Sequence, residues 1–90
     1  SVAEVETGGT FSCYPNPVSS QLTIDSRQMA IKTVEIYNVM GEMVMKKKKQ
    51  ESRSKNQEAT LDVSELSNGI YIVVVSDEKT SVRGRVIVQR

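Results

Sequence analysis

The sequence contains no histidine, no tryptophan and a single cysteine, Cys13. Without histidine the chain holds neither a Ser-His-Asp nor a Cys-His catalytic arrangement, and most zinc chemistry is excluded with them. One cysteine rules out an internal disulfide and any cage of several thiolates. An excess of one charge is also missing. Twelve Lys and Arg stand against 11 Asp and Glu, a net of +1, so there is no global basic field for nucleic acid and no acidic tail. The aromatics are three Tyr and one Phe, and none is interleaved among the lysines, which argues against a nucleic-acid binder. The longest apolar run, residues 70–75, is strand-sized and far short of the roughly 20 residues of a membrane helix. The opening Ser1-Val2-Ala3-Glu4 is acidic and lacks the basic-then-apolar block of a secretory leader. A cytosolic protein, or a piece excised from a longer precursor, is the expectation. No acid/base pair for an enzyme remains, and no cofactor or metal is expected.

What is present is a β pattern. Ninety residues make one domain with one modest core. Residues 1–10 read as a linker, with Gly8-Gly9 leaving the backbone free. Residues 11–14 form a short strand stopped by Pro15-Asn16-Pro17, since two prolines in three residues forbid helix and central sheet. Residues 21–25 alternate, with Leu22 and Ile24 inward. Residues 32–37 alternate again, with Val34 and Ile36 inward. Residues 38–41 are a turn and 42–46 a return strand, in which both parities of Met43, Val44 and Met45 are apolar, leaving the inward face open. The run at residues 46–55, KKKKQESRSK, is locally cationic and reads as a solvated loop in which Lys46 to Lys49 fray a hairpin end. Residues 57–63 place Ala59, Leu61 and Val63 on one face. Residues 64–69 turn and end in Asn68-Gly69, the pair that most readily takes positive φ. Residues 70–75 are apolar on both parities and read as the most buried, central strand. Residues 81–90 form the last strand, with Val82, Val86 and Val88 on one face. About seven short antiparallel strands at regular spacing and no convincing helix predict an all-β, Ig-like β-sandwich.

Four segments stand out. In Tyr14-Pro15-Asn16-Pro17 the prolines set a rigid corner and Asn16 can close an Asx-type turn. Residues 34–41 (VEIYNVMG) run a strand into a turn at Gly41. In residues 61–71 (LDVSELSNGIY), Leu66 is expected to plug one end of the sandwich and Gly69 to take positive φ. Tyr71 is expected to bury its ring while its hydroxyl reaches a backbone carbonyl. Residues 83–90 (RGRVIVQR) put Arg83, Arg85 and Gln89 on one face and Val86 and Val88 on the other, as an edge strand whose arginines discourage aggregation. Cys13 reads as a small buried hydrophobe.

Taken together, YPNPVSSQLTI, VEIYNVMGEMV, LDVSELSNGIYIVVV and the terminal RVIVQR resemble the type A C-terminal sorting domain of the type IX secretion (Por) system of Bacteroidetes. The resemblance spans residues 11–90. It implies an Ig-like sandwich, which the strand count reaches on its own, and a signal rather than an enzyme. It further implies that an upstream cargo crosses the periplasm and passes the outer membrane through the type IX translocon and its shuttle components. A cell-surface sortase of cysteine-peptidase fold then removes the domain and attaches the cargo to anionic lipopolysaccharide, at the cell surface or beyond. The last strand carries Arg83, Arg85 and Arg90 where many relatives have lysine; the charge is kept, but a planar guanidinium replaces a lysine point charge.

On this reading the sortase cuts within Glu6, Thr7, Gly8, Gly9 and Thr10, where backbone is extended and unpacked. Recognition falls to the last strand, with Arg83, Arg85, Val86, Val88 and Arg90. Its edge would accept a translocon strand by β-augmentation. The rival reading is a structural or adhesive Ig-like spacer or carbohydrate-binding module. The absence of tryptophan and the few exposed-ring candidates speak against sugar stacking, and position relative to a cargo domain separates the two.

Overall fold

The computed structural model describes residues 11–26, 30–48 and 57–90. The linker at 1–10, with Glu6 to Thr10, and the charge run from Lys49 onward to residue 56 lie outside the described residues. Among the described residues seven strands follow in order: β1 (Phe11–Tyr14), β2 (Gln21–Ser26), β3 (Thr33–Tyr37), β4 (Met43–Lys48), β5 (Glu58–Asp62), β6 (Gly69–Ser76) and β7 (Ser81–Val88). They form two sheets, β1-β2-β5 and β4-β3-β6-β7, and all the ladders are antiparallel. The fold is an all-β, Ig-like sandwich.

Alternation explains the layers. Side chains on a strand point to opposite faces in turn, and Leu22, Ile24, Val34, Ile36, Leu61, Tyr71, Val73, Val86 and Val88 all point into one shared core. Leu22, Ile24 and Ile36 have no exposed surface, and each such side chain contributes roughly 1.5–3 kcal/mol by leaving water. Leu66 packs against this core from the β5–β6 connection without being fully buried. The Tyr71 ring is buried, and its hydroxyl donates to the Ser67 carbonyl at 2.7 Å.

The ambiguous parity of β4 resolves through a bulge. Ile36 pairs with Met45 and Tyr37 with Met43, so Val44 is the extra residue. Met45 therefore shares the inward side of Ile36 and packs on the core, while Met43 shares the outward side of Tyr37.

Two expectations need correction. Lys47 and Lys48 are not loop residues: the return strand expected to end at Lys46 continues through both as β4. An edge strand tolerates them because long cationic side chains escape to water from an edge. Lys46 lies 3.9 Å from Glu35 across β3–β4, and Lys47 donates to the Thr60 carbonyl of the opposite sheet at 2.8 Å. The run at 70–75 is central, between β3 and β7, but it is not buried on both faces. Tyr71, Val73 and Val75 face the core, whereas Ile70 is 46% exposed and Ile72 and Val74 are half-buried. In two layers without a covering helix, every strand keeps one face outside.

Candidate recognition site

The Pro15-Asn16-Pro17 corner carries the chain from the three-stranded sheet to the edge of the other. Both X-Pro bonds, Tyr14-Pro15 and Asn16-Pro17, are cis. Just beyond, Val18 lies parallel to Val88, fully buried. Its N–H donates to the Ile87 carbonyl, and Gln89 N–H donates back to the Val18 carbonyl, each at 2.8 Å. Asn16 does not close the expected Asx turn. The N–H such a turn would use is that of Val18, already taken by Ile87, so the Asn16 Oδ1 instead accepts the Ile87 N–H at 3.0 Å.

These bonds set the state of the β7 edge. Along an antiparallel strand, successive residues turn their N–H and C=O alternately to either side. Ile87 and Gln89 turn theirs away from β6 and meet residues 16–18. Arg83 and Arg85 share that parity, and no described residue bonds their main chain on the outer side. Among the described residues the edge is thus sealed at Ile87 and Gln89 and open from Ser81 to Arg85.

Of the residues singled out in the last strand, Arg83 and Arg85 come together, both exposed on the outer face. Val86 and Val88, each 1% exposed, face the core and present no side chain to a partner. Arg90 is elsewhere. Its guanidinium donates to the carbonyls of Leu66 (2.7 Å), Val63 (2.8 Å) and Ser64 (2.7 Å), and its N–H to Asn68 Oδ1 at 3.1 Å. It clamps the β5–β6 connection, where Leu66 N–H also closes on the Val63 carbonyl at 3.0 Å. Gly69 has the expected positive φ, +158°, but stands at the margin of extended backbone; Gly41, at +87°, is well inside the left-handed region.

The cross-strand register assembles what the linear pattern hides. On the outer face Tyr37 stands opposite Ile72, and Ile72 opposite Arg85; in the next row Glu35 stands opposite Val74, and Val74 opposite Arg83. The result is an open groove of about 650 Å³ with Ile70, Ile72 and Val74 as its floor, Arg83 and Arg85 on one side, and Tyr37 and Val39 on the other. The β3–β4 turn that carries Val39 is tightly held. Asn38 Oδ1 accepts the N–H of Met40 (2.9 Å) and of Glu42 (3.0 Å), and Gly41 N–H donates to the Asn38 carbonyl (3.0 Å). Val39 and Met40 are nonetheless 74% exposed each. Glu35 is engaged by Tyr37 Oη at 3.0 Å and by Lys46; its hydrogen bond, with lesser help from desolvation and its charge, raises the Tyr37 pKa. Among the described ion pairs none involves Arg83 or Arg85.

The groove's apolar floor, Ile70, Ile72 and Val74, was not singled out as a site from the sequence, although Arg83 and Arg85 beside it were. Its signal was there: a run apolar on both parities in a chain with no helix to cover it. Cys13 is buried on β1, and desolvation pushes its thiol pKa up to about 12, so the thiolate is disfavoured. Among the described residues there is no group of three or more His, Cys, Asp or Glu placed to hold a metal ion.

A family model described as "Secretion system C-terminal sorting domain" matches residues 12–89. Compared with the curated proteins, the chain has no match.

Proposed function

Given that the chain belongs to the secretion system C-terminal sorting domain family of type IX secretion, we propose that it works by being docked, through the open stretch of β7 and the outward Arg83 and Arg85. A domain of this family is a sorting signal: it engages the type IX machinery and marks a protein for export to the cell surface or extracellular space. The family is not one of enzymes. The observation that carries the docking proposal is the half-sealed edge. Main-chain groups of Arg83 and Arg85 face outward without a described partner, while residues 16–18 occupy the rest. An incoming strand of the outer-membrane translocon or a shuttle component then has a defined stop at Ile87, and the two arginines set its orientation.

The finer steps of the proposal are periplasmic transit, removal by a cell-surface sortase, and attachment of the cargo to anionic lipopolysaccharide. Cleavage is assigned to Glu6 through Thr10, around the Gly8-Gly9 pair, because a protease needs extended backbone and a glycine pair leaves the chain free to supply it. N-terminal sequencing of the released domain checks it; a first residue beyond Tyr14 overturns the assignment. The docking reading is tested by fusing the 90 residues to a periplasmic reporter in a type IX-competent cell. The wild-type fusion should reach the surface. Arg83→Gln with Arg85→Gln should keep the fold, since both are surface residues, and should slow export. Normal export of that folded double variant would refute the arginines' part in docking.

A further inference from the structure

The groove on the outer face of the four-stranded sheet is separate from the β7 edge, although the same arginines border both. We infer that it binds an extended acidic peptide segment of a protein partner, one with carboxylates at alternate positions and aliphatic side chains between them. The inference rests on the sorting reading for its biological setting but not for its physical test.

Charge complementarity sets the acidic character. Arg83 and Arg85 enter no described ion pair, and the nearest acid on their rows, Glu35, is held by Tyr37 and Lys46. Arginine that no described carboxylate pairs, beside an apolar floor, is suited to a carboxylate brought by a ligand. Spacing sets the extended form. Arg83 and Arg85 are alternate residues of one strand, so their Cα atoms lie about 6.6 Å apart. Alternate carboxylates on an extended peptide have the same repeat. The opposite wall sets the aliphatic character. Val39, exposed on a turn pinned by Asn38, and the Tyr37 ring face the groove from the side away from the arginines. Ile72 and Val74 lie beneath both walls, in the interior of the sheet rather than at its rim. That recess favours a peptide over a bilayer. A flat lipid surface would meet the arginines and the turn before it reached the floor, whereas a single extended chain fits between them. The volume falls within the range of a specific ligand cleft, roughly 300–1,000 Å³.

The probe is a capped peptide of alternating glutamate and valine, titrated into the isotope-labelled 90-residue chain and followed by amide NMR shifts. Shifts confined to β6, β7 and the Tyr37–Gly41 turn are expected. The glutamine–valine counterpart should bind at least about tenfold more weakly, as should the glutamate peptide on the Arg83→Gln, Arg85→Gln variant. Ile72→Gln with Val74→Thr should likewise lose binding while keeping the dispersed spectrum of the fold. Equal affinity for both peptides, shifts centred on the other sheet, or no shifts at millimolar peptide would each overturn the proposal. So would binding to phosphatidylglycerol vesicles with none to the peptide, which would make the face a lipid surface. The reporter fusion tells a separate failure apart. If the wild-type domain binds the peptide but exports nothing, the sorting reading fails and the groove stands. If the wild-type domain is exported but does not bind the peptide, only the groove proposal falls.

Discussion

Arg90 is a residue whose sequence role and structural role diverge. Its charge suggested recognition, yet its guanidinium is spent on three carbonyls of the β5–β6 connection. Hydrogen bonds from a charged donor typically contribute more than neutral ones, so Arg90→Ala should destabilise by about 1–3 kcal/mol in urea denaturation. Arg90→Lys should recover only part of this, because an ammonium lacks the planar fork that reaches several oxygens at once. An unchanged midpoint in the alanine variant would remove Arg90 from the turn. At Gly41 sequence and structure agree on a turn. At φ +87° a side chain is strained, and Gly41→Val should cost about 1–2 kcal/mol, although nothing within 4 Å blocks a Cβ there. Cys13 makes the opposite prediction. Buried and with its pKa pushed up to about 12, it should ignore a disulfide reagent at neutral pH until denaturant exposes it.

Among the elements, β5 and β3 hold the core from the two sheets. Leu61 and Ile36 are 2% and 0% exposed, and truncating either to Ala should destabilise by about 2–5 kcal/mol, from lost transfer energy plus the cavity left. Chemical denaturation measures this, and a small loss would put the residue outside the core. The β6–β7 turn carries a pH signature. Asp77 Oδ1 accepts the N–H of Lys79 and of Thr80, both at 2.7 Å, and these bonds hold its carboxyl below the ordinary 3.8. Asp62 is lowered in the same way by its bonds to Ser64. A folded pKa below the unfolded one means that the stabilisation is present above 3.8 and fades as pH falls through the lower folded value. Asp77→Asn should therefore flatten part of the acid limb of a stability–pH profile; an identical limb in both proteins would show that the turn makes no such contribution.

For the whole molecule, β7 has two jobs that must be separated experimentally. Its inward Val86 and Val88 complete the core, and Val88 also meets Val18 at the corner. Deleting residues 86–90 should abolish export by unfolding the domain, seen as loss of a cooperative melting transition. Export loss in that deletion therefore says nothing about recognition. The Arg83→Gln, Arg85→Gln variant speaks to docking because both side chains lie outside the core. Arg90 belongs in neither comparison, since replacing it would disturb the β5–β6 connection.

Local pattern determined the strands. Leu22 and Ile24, Val34 and Ile36, Ala59 and Leu61, and Val86 and Val88 alternate with polar neighbours, and a period of two has a single physical meaning when one face is buried. The sandwich was legible in the same way, the buried Tyr71 with its backbone acceptor was also expected, and the order of four motifs carried the family resemblance. What alternation cannot contain is who stands beside whom. The register that sets Arg85 next to Ile72 and Tyr37, and Arg83 next to Val74, joins residues far apart in the chain. Nor could it contain the sealing of the β7 edge by Asn16 and Val18, a contact made 71 residues apart, or the diversion of Arg90 to the carbonyls of residues 63–66. A run apolar on both parities carries no local mark of which face is covered. Only the packing of two sheets without a third layer left Ile70, Ile72 and Val74 facing out, because a strand's second face is buried only if the fold supplies something to lie against it.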